Sequence, residues 1–254
     1  MKSKITCTVF VFMLNVGLLF GQNKVLHVEY DFFFKDYFPE NRQIDLICNH
    51  KVSLSTAIRT ILYQDVGEST AKPKSFYTLI FKNRDSIISE EELEGQQYII
   101  GEPLNQFKWE LTGNTKKILN YVCQEATTHF RGRDYLAYFT TKIPFKVAPW
   151  KFNGLPGVTL LICTDDQKIK IEAKNLKITD SSGEIANPFT SMDKLISWDH
   201  FVDLRKQEWN KFNNKVSSQL SLTGQNKMLT ANPKISPGLR MEIIVQGEGG
   251  LDKP

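Results

Sequence analysis

The residues of this chain that could do chemistry are one mid-strand cysteine, four scattered histidines and an arginine pair on a turn. Cys123 and His129 stand six apart in a single predicted strand. Strand geometry puts them on one face but about 20 Å apart, too far for a nucleophile and its base. His27, His50 and His200 are distant in sequence. A Cys/His or acidic site would therefore have to be assembled in space. Leu119 and Tyr121 share the face of Cys123, and apolar neighbours raise a thiol pKa. Cys123 is expected to be buried and unreactive, as a small core residue or half of a disulfide. No His-Glu-x-x-His, Gly-x-Ser-x-Gly, phosphate loop or paired-cysteine metal spacing occurs, so no catalytic residue, metal or cofactor is assigned.

Arg131 and Arg133 flank Gly132. A guanidinium fork suits bidentate recognition of a carboxylate; the plainer alternative is a soluble hairpin tip with Arg133 paired to Asp134 or Glu125. Tyr135, Tyr138, Phe139, Trp150 and Phe152 cluster in the same region. Tyr135 and Phe139 take one face of a strand and Leu136 and Tyr138 the other, and a strand apolar on both sides needs cover on both. One cover would be the C-terminal helix; the other would be a ligand, a partner or the Ile143–Phe152 stretch folded back. Arg131, Arg133 and these five aromatics form the candidate ligand- or partner-binding set.

These residues must be positioned by the elements around them. Gly154-Leu155-Pro156-Gly157 forces a turn: Pro156 fixes its own φ, extends Leu155, and leaves Gly157 for a positive φ, the type II arrangement. These four residues and Cys123 are the predicted structural motif. Alternation over Lys24–Phe34 predicts a strand, and strands with turn signals every 8–12 residues continue to Ala173. Residues 53–64 are ambiguous, because Leu54, Ile58, Ile61 and Leu62 suit a short helix while Thr56 and Thr60 weaken it; 65–74 reads as a loop. Residues 191–217, capped by Ser191, read as a helix with an apolar stripe of Leu195, Trp198, Val202, Trp209 and Phe212. The expected fold is mainly β, a curved antiparallel sheet or partly open barrel with a C-terminal amphipathic helix. Its divisions are 22–190 for the β domain, 191–217 for the helix and 218–254 for a mostly flexible tail.

The first 21 residues have a basic start, an apolar centre and a small residue at Gly21, the pattern of a secretory signal peptide. Export to the periplasm or the periplasmic face of the outer membrane follows as an expectation, with the cell surface as the lesser alternative and no transmembrane segment after cleavage. Cys48, Cys123 and Cys163 then meet an oxidising compartment, where one pair could bridge. The net charge of +4 comes without a concentrated basic stripe, which argues against nucleic acid.

Trp109, Lys117-Ile118, Tyr121, Cys123, Glu125-Ala126, Gly132-Arg133, Tyr138-Phe139-Thr140, Ile143-Pro144, Pro149-Trp150-Lys151-Phe152 and Gly154–Val158 together resemble the GLPGLI family, secreted proteins of the Bacteroidetes group. The family motif ends Leu-Ile where this chain has Val158-Thr159. The resemblance supplies no reaction, the family having no agreed activity, and implies association with outer-membrane uptake or assembly machinery. The expected function is a non-catalytic envelope protein that binds a hydrophobic ligand or an outer-membrane protein complex. The alternatives are a secreted, peptidase-like hydrolase and a structural accessory subunit of an outer-membrane complex.

Overall fold

The computed structural model describes residues 24–35, 42–63, 72–181 and 184–223. The predicted signal peptide and nearly all of the predicted tail lie outside these residues. Twelve strands form one open sheet: β1 (Lys24–Phe34), β2 (Arg42–Cys48), β3 (Ser53–Tyr63), β4 (Lys72–Lys82), β5 (Ser86–Leu93), β6 (Gln96–Pro103), β7 (Glu110–Ile118), β8 (Tyr121–Phe130), β9 (Arg133–Thr140), β10 (Val158–Thr164), β11 (Ile169–Asp180) and the short β12 (Leu195–Ser197). Their spatial order is β12-β6-β5-β4-β3-β2-β1-β11-β10-β9-β8-β7. Two antiparallel meanders, β1–β6 and β7–β11, are thus joined where β1 pairs with β11, and β12 adds in parallel beside β6. The mainly β expectation, with one C-terminal helix, is what the chain adopts.

The inner face follows from alternation. Along β1, Leu26, Val28, Tyr30, Phe32 and Phe34 are buried while His27, Glu29 and Asp31 face water. Tyr30 donates its hydroxyl hydrogen to the Thr159 carbonyl at 2.8 Å, so a buried phenol is satisfied across two strands. Every residue of β10 is buried, as a strand covered on both faces requires. Residues 53–63 are the strand β3, not a helix. Backbone partners on both sides, β2 and β4, override the helical spacing of its leucines and isoleucines, and the β-branched residues suit the pleat. Part of the predicted 65–74 loop belongs to β4.

The link between β9 and β10, residues 141–157, folds back over the inner face. Val147 donates to the Gly157 carbonyl at 3.2 Å and accepts from Thr159 at 2.9 Å. Ile143, Phe145, Trp150, Phe152 and Leu155 enter the main core. Phe152 is the hub: its ring lies 4.9 Å from Tyr135, 5.0 Å from Trp150 and 5.2 Å from Phe107. This segment, not the helix, covers β9.

The turn differs from the expected type II geometry in which glycine has the positive φ. Gly154 has φ +93°, in the left-handed region, while a Cβ there would meet Trp109 only at ordinary contact distance, 3.4 Å. Gly157 is not in the left-handed region; it is glycine because a Cβ would lie 2.2 Å from the Thr140 carbonyl oxygen. One glycine answers a backbone angle and the other a close approach.

Helix α1 runs Trp198–Thr223. Ser191 makes no side-chain cap and starts only a single 3-10 turn, Met192–Lys194. The α1 cap is Ser197, whose hydroxyl oxygen accepts from His200 N–H at 3.2 Å. Its start buries deeply: Trp198 and Phe201 pack on Ile100 of β6, and Arg205 is buried beyond them. Leu195 of the predicted stripe lies in β12 instead.

Candidate functional site

Two charged sites lie under the folded-back segment, and they differ in kind. The first is sealed. Glu102 of β6 is held by Lys151 Nζ at 2.6 Å and Arg131 Nη2 at 2.5 Å. Burial would raise the Glu102 carboxyl, but the two cations outweigh it and hold it below its ordinary value. Trp198 closes the site, with the Arg131 guanidinium 4.0 Å and the Lys151 ammonium 4.2 Å from its ring centre; both contacts are cation–π in kind. Arg131, at φ 45°, therefore points into the protein and not out from a hairpin tip. With Glu102 3% and Lys151 1% exposed, this cluster ties β6, the β8–β9 turn, the cover segment and α1 together.

The second site is open. A cleft of about 370 Å³, within the range of ordinary ligand sites, runs between two tight turns and the cover segment. In the β2–β3 turn the Asn49 side-chain oxygen accepts from Lys51 and Val52 N–H. In the β4–β5 turn Asn83 does the same for Asp85 and Ser86. Both are Asx turns, and they fix His50 and Arg84 on the rim. The opposite wall is Lys146–Ala148 and Phe152–Pro156. A second cavity of about 420 Å³ adjoins it and shares Asn49, His50, Lys146 and Pro156. His50 stacks flat on Phe145, centroids 4.9 Å apart.

Lys82 forms part of the lining. Register places Cys48 opposite Ser53 and Ser53 opposite Lys82, so all three share the inner face, and all are buried. The Lys82 ammonium donates to the Ala148 carbonyl at 2.5 Å and the Phe152 carbonyl at 2.8 Å. Burial brings its pKa down to about 7, against a small opposing pull from Cys48. Burial likewise pushes the Cys48 thiol up to about 12, although Lys82 favours its thiolate. An ammonium has three donors, and two are used by the cover segment.

The sequence-predicted residues divide between these surroundings. Tyr135, Phe139, Trp150 and Phe152 are brought together in the core. Tyr138 is half-buried on the other face of β9 and donates to Glu125, which Thr112 and Asn114 also bond; these three hydrogen bonds hold the Glu125 carboxyl below its ordinary value. Arg133 approaches Asp166 at 3.9 Å. Leu155 is buried, while Gly154 and Pro156 are exposed beside the cleft. Cys123 is fully buried, as expected, and burial raises its thiol; His129 is exposed and pairs with Asp134. Cys48, Cys123 and Cys163 are free thiols. Sequence reasoning missed Lys82, His50 and Arg84. One signal was present: Lys82 is two residues from Ile80, a core residue of the inner face.

The family described as "N-glycanase peptide, N-terminal domain" matches residues 43–199. No curated protein matches the chain. Among solved structures, one of PNGF-II in space group P21 is 16% identical, with a TM-score of 0.50, covering 71% of this chain and 32% of that one. A second, in space group C2, is 14% identical, with a TM-score of 0.46 and coverages of 68% and 31%. The chain spans about a third of the length of these structures. The family match overturns the GLPGLI resemblance. That resemblance rested on short pieces scattered from Trp109 to Val158. The Gly-Leu-Pro-Gly turn among them has glycines that meet local demands, a positive φ at Gly154 and a close approach to Thr140 at Gly157, which unrelated sheets can share. It overturns with it the expectation of a non-catalytic envelope protein for a hydrophobic ligand or outer-membrane complex. The aromatics taken for such a surface, Tyr135, Phe139, Trp150 and Phe152, are filled in against one another.

Proposed function

The chain belongs to the N-glycanase N-terminal domain family, and on that premise we propose that it serves the hydrolytic removal of N-linked glycans, its cleft receiving the glycan-bearing substrate. The observation that carries this reading is positional: the family match, 43–199, contains every residue lining the cleft, from Cys48 to Pro156. Of the earlier alternatives it is the secreted hydrolase that agrees, with a glycan in place of a peptide as substrate.

The geometry supports substrate holding as this domain's share of the reaction. Glu102 is locked between two cations, Glu125 is occupied by three donors, and the three thiols are kept protonated by burial. The cleft instead presents outward groups: the exposed His50 ring, backed by the buried Phe145, against which the C–H face of a sugar ring can lie, and the exposed amide of Asn105 for its hydroxyls. The Asx turns hold His50 and Arg84 in place before substrate arrives, which lowers the ordering cost of binding.

Calorimetric titration of the full chain with an N-glycopeptide and with the same peptide lacking its glycan tests the reading. The glycopeptide is expected to bind at least ten-fold more tightly, and His50→Ala to remove most of that advantage. Equal affinity for the two peptides would overturn the proposal.

A further inference from the structure

The cleft's charge is one-sided. Lys51, Lys82, Arg84 and Lys146 line it, together with His50, and no aspartate or glutamate does. The whole chain has 32 basic and 28 acidic residues, so composition alone would place carboxylates among them. Elsewhere on the surface cations sit beside carboxylates: Lys170 with Glu172, Lys174 with Asp31, Lys206 with Asp203, Lys211 with Glu208. Among the described residues Lys51, Arg84 and Lys146 form no ion pair. The nearest acidic groups in sequence are committed elsewhere or face away: Glu102 is bound by Lys151 and Arg131, and Asp85 is exposed outside the lining.

We propose that the cleft selects N-glycans carrying an anionic group, a sugar carboxylate or a sulfate ester, seated between Lys82 and the rim cations Arg84 and Lys146. This rests on the glycan-binding reading above. Lys82 is 5% exposed and has only carbonyl oxygens and a protonated thiol around it. A buried cation without a counter-charge is costly, and an arriving anion would supply what the protein does not. Its third donor remains for that contact. A pKa near 7 agrees with a cation waiting for a counter-ion. Arg84 offers a fork that matches a carboxylate or sulfate edge, and side chains of one sign gathered around a cleft add their fields there. A neutral glycan would leave Lys82 as it is, so discrimination comes from the unpaired charge as much as from the new contact.

The test uses one peptide carrying the same glycan core with three ends: neutral, sialylated and sulfated. Titrated into the full chain at low salt, an anionic glycopeptide is expected to bind at least ten-fold more tightly than the neutral one, with the advantage falling as salt is raised. Arg84→Ala combined with Lys146→Ala, both exposed positions, should bring the anionic glycopeptide down to the affinity of the neutral one while the melting temperature holds. Tighter binding of the sialylated form alone identifies a carboxylate sugar, of the sulfated form alone a sulfate ester, and of both a general anion site. Equal affinity for all three overturns the proposal; if each still binds better than the bare peptide, the glycan reading survives it. An acidic bare peptide that matches the anionic glycopeptide would also overturn it, by showing that the cleft reads peptide charge.

Discussion

Lys151, within the folded-back segment, and Lys82, beneath it, are both buried, yet their surroundings are opposite. Lys151 meets a carboxylate and the face of Trp198. Lys82 meets two backbone carbonyls and a thiol, beside an open cleft. A charge that the fold compensates internally has become part of the architecture. A charge that the fold leaves uncompensated, next to space, is kept for something that arrives from outside. Burial alone does not tell a structural charge from a functional one; the presence of a partner inside the protein does.

The strongest way to break this contrast is to remove each lysine. Lys151→Met leaves Glu102 with only part of its compensation in a closed site, and breaking a buried pair costs about 3–5 kcal/mol. Lys82→Met loses two hydrogen bonds but also removes an unfavourable buried charge, so the cost should be smaller, about 1–2 kcal/mol. Urea denaturation of both variants measures this; equal losses would erase the distinction.

A finer contrast is in pH. The folded pKa of Lys82, about 7, is below that of an unfolded lysine, near 10.4. Between these values the unfolded chain binds more protons at this site, so stability rises with pH, by up to about 1.4 kcal/mol per unit. Above pH 9 Cys48 acts in the opposite sense, because its folded pKa of about 12 lets only the unfolded thiol ionise. The wild type should therefore gain stability relative to Lys82→Met from about pH 7 to 9. Parallel stability curves for the two proteins over that range would contradict the assignment. Smallest of all, Arg84→Ala should change stability by no more than about 0.5 kcal/mol, as a solvated side chain outside any ion pair. A larger loss in thermal unfolding would place Arg84 in the architecture with Lys151.

Much of the sheet was legible because period-2 burial is written directly in residues such as Leu26, Val28, Tyr30 and Phe32. The exception, β3, shows the limit: Leu54, Ile58, Ile61 and Leu62 fit a helix locally, and only the two neighbouring strands decide otherwise. The covering of Tyr135 and Phe139 was legible as a need, while its answer, the 141–157 segment, was one of several offered. Neither charged site could be read in the same way. Glu102, Arg131 and Lys151 lie on a strand, a turn and a connecting segment, and no spacing announces that they meet. Lys82 reads as an ordinary lysine at a strand end until Ile80 is known to face inward. The turn motif was found for the right residues and the wrong reason, since an approach of Gly157 to Thr140 leaves no trace in local propensities.

The pairing of β1 with β11 has a consequence for how the molecule is made. The first strand of the described chain sits in the middle of the sheet, and its second neighbour is not synthesised until residue 180. The meander β1–β6 can assemble early from local hairpins, but it must wait with one side of β1 open. Closing that seam brings together residues far apart in the chain, the kind of contact that slows folding most. An open strand edge lined by Leu26, Val28 and Phe32 is also a template for pairing with the wrong chain. The seam is therefore where crowding, truncation before β11 or slow synthesis should turn a productive intermediate into an aggregating one.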